Sequence, residues 1–225
     1  MKPTLIFDYD GTIHNTIGIY EPAFRSCYAW LEAEGYVPAQ EISTERIAGW
    51  LGMNSREMWN SFLPGLSEEM KDAASGQVGS SMVEYIRAHK AAWYPGAREV
   101  LEELKSDGYT MIVLSNCKIA YRKANWETFG MERWFAEFYD CETFSFAPKT
   151  EIIKEIQKKF SGPYIVIGDR RSDLECAVSS GSAFIGCRYG FGIDGELDGA
   201  DAFVDTVREL PGRIRRQEAF IETGR

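Results

Sequence analysis

Short, uniformly apolar runs alternate along most of the chain with longer segments whose apolar residues recur every three to four positions. The short runs predict buried strands at residues 5–7, 111–114, 164–167, 183–186 and 202–204, with a weaker one near 138–139. The periodic segments, such as residues 100–104, 119–129 and 152–160, predict amphipathic helices. Apolar strands alternating with amphipathic helices are typical of a parallel sheet covered on both faces. The sequence therefore predicts an α/β fold.

One long stretch, residues 19–89, shows helical periodicity without a strand signal. Gly76 and Gly79 weaken the helix signal in the last part of this stretch, because glycine is a poor helix former. A helical stretch of this length inside an alternating chain predicts an inserted helical subdomain. We place this helical insert at residues 17–93 and the sheet core at residues 1–16 and 94–225.

Composition and charge narrow the class of protein. The chain has 225 residues with 44% hydrophobic and 26% charged side chains, which is ordinary for a globular protein. Its 34 acidic and 25 basic residues give a net charge of −9, which argues against nucleic-acid binding through bulk charge. No apolar run approaches a membrane span or a signal-peptide segment, and the five cysteines never form a CxxC pair. We expect a cytoplasmic monomer or homodimer with no nucleic-acid or membrane partner.

Polar side chains follow the predicted strands at the points where the strands end. Ligands of open α/β sheets bind beyond the carboxyl ends of the strands, so these positions form the candidate site. The set comprises Asp8, Asp10, Ser115, Asn116, Lys149, Asp169 and Asp173. Carboxylates, a hydroxyl and an amine therefore converge on one edge of the predicted sheet.

The residue types in this set suit one kind of chemistry. Two carboxylates two positions apart, joined by two more from another strand, make a hard oxygen site that favours Mg²⁺. Without a cation, the four carboxylates would repel one another. Lys149 adds positive charge, and Ser115 with nearby backbone N–H groups can donate hydrogen bonds to an oxyanion. Such groups stabilise the charge on a transferring phosphoryl group.

These motifs resemble those of the haloacid dehalogenase-like (HAD) hydrolase superfamily. Residues 8–13, DYDGTI, look like the first motif of that family, and residues 113–116, VLSN, are similar to the second. Lys149 fits the third motif, and residues 168–173, GDRRSD, fit the fourth. The order and spacing of the motifs match over nearly the whole chain. The helical insert resembles the family's C1-type cap, and the chain resembles the phosphoglycolate-phosphatase-like branch.

The resemblance implies a Rossmann-like catalytic core, a helical cap and a role for each matched residue. Asp8 would be the nucleophile that forms an aspartyl-phosphate, and Asp10 would act first as an acid and then as a base. The implied substrate contacts are Gly11, Thr12, Ser115, Asn116 and Lys149. The implied Mg²⁺ ligands are Asp8, the Asp10 carbonyl, Asp169 and, directly or through water, Asp173. Asn15 and Thr16 stand where the family more often has Asp-Ser, and this departure touches no catalytic role.

These observations lead to one expected function and three alternatives. We expect a Mg²⁺-dependent phosphatase that hydrolyses a small phosphorylated metabolite. A 2-haloacid dehalogenase shares the fold and the nucleophile but needs neither the metal nor a proton donor at Asp10. A phosphomutase could use the same residues, and release of free phosphate separates the two activities. A non-catalytic phospho-acceptor domain would be about half this size and would have no use for the helical insert.

Several features outside the four motifs have alternative interpretations. Residues 190–195 match GxGxxG, but no amphipathic helix follows, so we interpret them as a loop and not as a dinucleotide site. Residues 172–175 predict a capping box at the start of a helix. His14 is expected to be structural or to border the substrate. Trp50 and Arg46 either face the active site or belong to the core and surface of the insert.

Overall fold

A computed structural model describes residues 1–223, and within them six strands form a parallel sheet. The strands are β1 (Thr4–Phe7), β2 (Met111–Ser115), β3 (Phe135–Asp140), β4 (Tyr164–Gly168), β5 (Ala183–Cys187) and β6 (Ala202–Val204). The helices are α1 (Ile17–Ala33), α2 (Thr44–Ala48), α3 (Ser55–Phe62), α4 (Glu68–Arg87), α5 (Ala97–Ser106), α6 (Ile119–Phe129), α7 (Lys149–Lys159), α8 (Arg171–Ser180) and α9 (Leu210–Thr223). The predicted α/β fold is confirmed.

The order of the strands in the sheet, β3-β2-β1-β4-β5-β6, places the first strand near the centre. β1 pairs in parallel with β2 on one side and with β4 on the other, so that Phe7 lies beside Val113 and Ile167. Leu5 and Phe7 belong to one buried apolar cluster and Ile6 to another, because both faces of the sheet are covered. The strand order reverses between β1 and β4, and ligands of such sheets bind at this switch point.

The weakly predicted third strand is β3, which lies at one edge of the sheet. Of its side chains, those of Phe135, Phe138 and Asp140 are buried and the others are partly or fully exposed. An edge strand has a partner on one side only and meets more solvent than a central strand. Its apolar signal is therefore shorter than those of the central strands β1 and β2, which are buried throughout.

Four consecutive helices, α1 to α4, follow β1 where the sequence predicts the helical insert. An aromatic cluster fills the centre of this insert, with the ring of Phe24 5.0 Å from that of Trp50 and 5.6 Å from that of Phe62. Helix α4 runs without interruption through Gly76 and Gly79. Its packing against α1 therefore outweighs the low helix propensity of the two glycines.

The chain passes between the sheet and the insert through two connections that lie side by side. The Asn15 N–H donates to the Ala92 carbonyl at 3.0 Å, and the Tyr94 N–H donates to the Ile13 carbonyl at 2.9 Å. These backbone hydrogen bonds join the exit and return of the chain into one narrow neck. The division into a sheet core and a cap at residues 17–93 stays a prediction.

The last helix, α9, packs on the sheet through Leu210 and Ile214 and exposes its basic side chains. The Arg215 guanidinium pairs with Glu103 and, at 2.7 Å, with Asp107 on the neighbouring helix α5. These ion pairs are exposed, so this face of the helix is solvated. Among residues 1–223, no helix combines the length and the apolar character that a membrane span requires.

Candidate active site

The predicted residues meet at the carboxyl edge of the sheet, beside the switch point between β1 and β4. Asp8 directly follows β1, Ser115 ends β2, Lys149 begins α7 and Asp169 directly follows β4. All four side chains are buried, with Asp8 and Lys149 each only 4% exposed. Parallel strands bring Asp8 and Lys149 into contact although the two residues are 141 positions apart.

The Lys149 ammonium lies between two carboxylates. Its Nζ donates to Oδ1 of Asp8 at 2.5 Å and to Oδ1 of Asp173 at 2.6 Å. Burial by itself would lower the pKa of Lys149, but the charges of Asp173 and Asp8 outweigh it and raise this pKa above its usual value. Lys149 therefore carries a full positive charge at neutral pH.

Three carboxylates form a compact oxygen cluster around this lysine. Asp8, Asp169 and Asp173 each place an oxygen within 4.8 Å of the other two. Three negative charges against one lysine leave an excess of two, and burial raises the pKa of Asp8 well above its ordinary range. Burial and the Asp173 charge raise the pKa of Asp169 to about 7. A divalent cation would balance this excess, and an all-carboxylate donor set fits Mg²⁺.

The Asp10 carboxylate is held by a separate set of hydrogen bonds. Thr16 Oγ1 and Tyr121 Oη each donate to Asp10 Oδ1 at 2.6 Å, and Ser115 Oγ lies 3.5 Å from Oδ2. Burial acts to raise the pKa of Asp10, but hydrogen bonds from His14, Thr16 and Tyr121 outweigh it and the pKa is lowered. These contacts favour the ionised form of Asp10, and its carboxylate does not pair with Lys149.

His14 supports this network from a fully buried position. Its Nδ1 lies 2.9 Å from both the Thr16 and the Tyr121 hydroxyl oxygens. Its ring stacks on that of Tyr9 with the centroids 5.2 Å apart. The structural interpretation of His14 fits these contacts, because the side chain touches the groups that hold Asp10 and does not line the cavity described below.

Gly11 and Thr12, which the resemblance assigns to the substrate, lie against Asp169. Gly11 has a φ of +83°, and a Cβ atom there would come within 2.2 Å of Asp169 Oδ2. The Thr12 hydroxyl lies 3.4 Å from Asp169 Oδ1, and the residue is completely buried. Both residues therefore shape the surroundings of the carboxylate cluster.

The GxGxxG segment is a loop, as predicted, but it also supports the site. The Phe191 N–H donates to Asp169 Oδ2 at 2.7 Å across 22 positions of sequence. A Cβ atom on Gly190 would lie 2.3 Å from Cβ of Asp169, and one on Gly192 would lie 2.2 Å from its carbonyl oxygen. The two glycines let the loop approach Asp169 closely, a role that periodicity and motif spacing do not indicate.

The predicted capping box at residues 172–175 is wrong. Helix α8 begins at Arg171, so its cap position is Arg170 and the acid of its first turn is Asp173. The Arg170 N–H donates to Asp173 Oδ2 at 3.0 Å, while Ser172 Oγ has no hydrogen-bond partner within residues 1–223. Asp173 thus fixes the helix start with one oxygen and binds Lys149 with the other.

A cavity of about 750 Å³, including the space at its mouth, lies between the insert and the carboxyl edge of the sheet. Asp10, Asn116, Lys118 and Tyr121 line it from the sheet side. The insert contributes mainly apolar side chains, among them Tyr20, Trp50, Leu51, Met58, Trp59, Val78 and Met82. The cavity therefore borders the carboxylate that the resemblance makes the acid and base.

Trp50 and Arg46, the two residues of the insert with alternative interpretations, differ in their position relative to the cavity. Trp50 is 8% exposed and lines the cavity. Arg46 is exposed and lies outside the cavity, with its guanidinium 5.7 Å from the Trp50 ring and 5.3 Å from the Phe62 ring. Arg46 therefore covers the outer side of the aromatic cluster and does not reach the site.

Two side-chain hydrogen bonds join the insert to the sheet side of the cavity. Asn116 Nδ2 donates to the Gly52 carbonyl at 3.0 Å, and Lys118 Nζ donates to Ser75 Oγ at 2.8 Å. The Asn116 side chain is thus committed to the insert, which leaves its backbone N–H as the group that could face a phosphoryl oxygen. Both contacts hold the insert over the carboxylate cluster.

Comparison with known proteins identifies the same family that the motifs resemble. A family model described as haloacid dehalogenase-like hydrolase matches residues 5–187. A phosphoglycolate phosphatase from Agrobacterium fabrum is 25% identical over 198 residues, which cover 85% of this chain and 82% of that protein. A probable phosphatase IndB from Dickeya dadantii is 26% identical over 220 residues, which cover 94% of this chain and 93% of that protein. The resemblance to the phosphoglycolate-phosphatase-like branch is confirmed.

Solved structures of low sequence identity share the fold. The crystal structure of a predicted phosphoglycolate phosphatase from Haemophilus somnus superposes with a TM-score of 0.80. It is 20% identical in sequence and covers 94% of this chain and 97% of its own. At this level of identity the likeness shows a common architecture, and the chemistry has to be argued from the residues of this chain.

Proposed function

Because the chain belongs to the haloacid dehalogenase-like hydrolase family, we propose that it is a Mg²⁺-dependent phosphatase of a small phosphorylated metabolite. The observation that carries this proposal is the buried contact of Asp8 with Lys149 beside Asp169 and Asp173. A nucleophilic carboxylate, a fixed positive charge and a site for a divalent cation then share one edge of the sheet. The phosphatase names of the related proteins support the same activity.

The first half of the reaction would use Asp8 as nucleophile. An Asp8 oxygen would attack phosphorus, and the bond between phosphorus and the leaving oxygen would break as Asp10, in its protonated form, supplies a proton. Lys149 would stabilise the negative charge on the phosphoryl oxygens, together with the Ser115 hydroxyl and the Asn116 N–H. When bound at Asp8, Asp169 and Asp173, Mg²⁺ would add positive charge against the same oxygens.

The second half of the reaction would regenerate Asp8. Asp10, now ionised, would take a proton from water as that water attacks the aspartyl-phosphate. The short hydrogen bonds from Thr16 and Tyr121 fit this step, because they hold an ionised Asp10 at the wall of the cavity. The bond between phosphorus and the Asp8 oxygen would break and phosphate would leave, the alcohol having been released in the first half of the reaction.

A phosphate-release assay tests this function. The purified protein is assayed with acetyl phosphate and a panel of phosphomonoesters, each with Mg²⁺ and with excess chelator. Continuous release of phosphate that requires Mg²⁺ supports the proposal. Transfer of the phosphoryl group within the substrate without phosphate release would indicate a phosphomutase, and a single stoichiometric phosphorylation of the protein would indicate a phospho-acceptor.

A further inference from the structure

The walls of the cavity beside Asp10 are largely apolar, and this restricts the kinds of leaving group that can bind there. Trp50, Met58, Trp59 and Met82 are all buried and all line this space. Side chains of this kind lose little when an apolar group replaces water, and apart from the indole N–H groups they offer no hydrogen bonds to a polar one. The leaving group has to lie in this cavity if its oxygen is to receive a proton from Asp10.

Three polar groups in the cavity can donate hydrogen bonds to a ligand. The Trp59 indole N–H is buried and has no hydrogen-bond partner within residues 1–223. Lys118 donates to the Ser75 hydroxyl and pairs with no carboxylate in the same described part of the chain. Burial raises the pKa of the Tyr20 hydroxyl, which keeps it a neutral O–H group. Asp10 is the lone carboxylate among the described lining residues, and it already accepts two short hydrogen bonds.

This distribution of donors and acceptors disfavours two common kinds of leaving group. A sugar brings several hydroxyl groups into the cavity, and those that face the apolar side chains of Trp50, Met58 and Met82 would find no hydrogen-bond partner. A small carboxylated alcohol such as glycolate brings a charge that would be desolvated against apolar walls, with Lys118 as its available cation. A flat ring with an acceptor atom can instead bury its faces and accept a hydrogen bond from a free donor such as Trp59.

We infer that the substrate is the phosphomonoester of a flat, largely apolar alcohol that carries a hydrogen-bond acceptor on its ring. This inference rests on the proposed phosphatase function, since the cavity selects a leaving group only if phosphoryl transfer takes place beside it. It separates this chain from the substrate that the names of several relatives indicate, phosphoglycolate.

The experiment measures kcat/KM for matched phosphomonoesters. Benzyl phosphate and the three isomers of pyridylmethyl phosphate have the same shape and differ by one ring nitrogen that accepts a hydrogen bond. Phosphoglycolate and glucose 6-phosphate represent the disfavoured classes, and acetyl phosphate reports the chemistry with a minimal leaving group. We expect benzyl phosphate to exceed phosphoglycolate and glucose 6-phosphate by roughly tenfold or more, and at least one pyridylmethyl isomer to exceed benzyl phosphate.

Two variants assign the acceptor contact. Trp59→Phe keeps an aromatic ring and removes the free N–H, so it should lower kcat/KM for the preferred pyridylmethyl isomer severalfold more than for benzyl phosphate. Trp134→Phe is the matched control, because Trp134 is also buried with an unpartnered N–H within residues 1–223 but does not line the cavity. An equal effect of Trp59→Phe on both substrates would overturn the role of its N–H.

The ranking of substrates by the unmodified protein keeps the inference falsifiable even if Trp59→Phe does not fold. Phosphoglycolate or glucose 6-phosphate turned over as well as benzyl phosphate would overturn the inference, while Asp8-dependent hydrolysis of acetyl phosphate would still support the phosphatase. Absence of phosphate release from every substrate, acetyl phosphate included, would instead overturn the proposed function.

Discussion

Replacement of Tyr121 by phenylalanine is expected to slow the cleavage of substrates whose leaving oxygen needs a proton. The Tyr121 hydroxyl donates a 2.6 Å hydrogen bond to Oδ1 of Asp10, and the residue is buried. Phenylalanine keeps the ring and removes only this donor. Thr16 still donates to the same oxygen, so Asp10 loses one of two short hydrogen bonds.

The size of the effect follows from the hydrogen bond that is lost. A hydrogen bond to a charged group contributes about 1.5–3 kcal/mol to stability. A change of about 1.4 kcal/mol in the activation free energy alters the rate tenfold. This contact strengthens as Asp10 gives up its proton, so at pH values where Asp10 is protonated in the free enzyme we expect kcat/KM to fall by roughly tenfold.

The assay compares two leaving groups under identical conditions. An alkyl phosphate needs Asp10 to protonate its leaving oxygen, whereas 4-nitrophenyl phosphate leaves as a stable anion. Since kcat/KM reports the steps up to formation of the aspartyl-phosphate, Tyr121→Phe should reduce it for the alkyl ester much more than for the nitrophenyl ester.

A matched variant controls for the loss of a buried tyrosine hydroxyl. Tyr28 is also buried, and its hydroxyl donates to the Pro38 carbonyl at 2.8 Å within the insert. Tyr28→Phe should leave the ratio of the two kcat/KM values unchanged. Equal losses on both esters in Tyr121→Phe, or no loss on the alkyl ester, would refute a positioning role for Tyr121.

Three further predictions concern the nucleophile, the metal and the cavity. Asp8→Asn should abolish phosphate release because an amide cannot attack phosphorus, while the exposed Asp72→Asn retains it; more than a few per cent of activity in folded Asp8→Asn would exclude Asp8 as the nucleophile. Chelation should remove activity and Mg²⁺ should restore it, whereas Ca²⁺ should not because its coordination is looser; full activity in excess chelator would indicate dehalogenase-type chemistry. Trp50→Ala should change the ranking of substrates by kcat/KM and Arg46→Ala should not; similar effects of both would place selectivity outside the cavity.

The sequence predicts the parts of the site that local pattern determines. Asp8, Ser115 and Asp169 each stand at or next to the end of an apolar run, and a parallel sheet brings such ends to one edge. Lys149 begins helix α7, so its contact with Asp8 depends in addition on where that helix starts. The central strands give a strong signal because they are buried throughout, and the edge strand β3 gives a weak one.

The parts that the sequence does not reveal depend on packing between distant elements. Tyr121 reaches Asp10 across 111 positions from a helix that carries no motif. Gly190 lets its loop approach Asp169 closely because it has no side chain. A single glycine of this kind leaves no periodic pattern in the sequence. The capping motif at Ser172 fails for a related reason, because the carboxylate of Asp173 takes the cap contact that a local rule assigns to its neighbour.

The excess negative charge of the cluster suggests that the site lowers the stability of the metal-free fold. Asp8, Asp169 and Asp173 outnumber Lys149 by two charges in a buried space. Because burial raises the pKa of Asp8, its ionised form is disfavoured in the folded state and destabilises the protein at neutral pH. Asp8→Asn removes one excess charge and keeps an oxygen that can accept from Lys149, so the variant should melt at a higher temperature than the unmodified protein in excess chelator. Saturating Mg²⁺ should narrow this difference in melting temperature, because the cation offsets more excess negative charge when Asp8 is present. A lower melting temperature of Asp8→Asn in chelator would show that the Asp8–Lys149 ion pair stabilises the fold more than the repulsion weakens it.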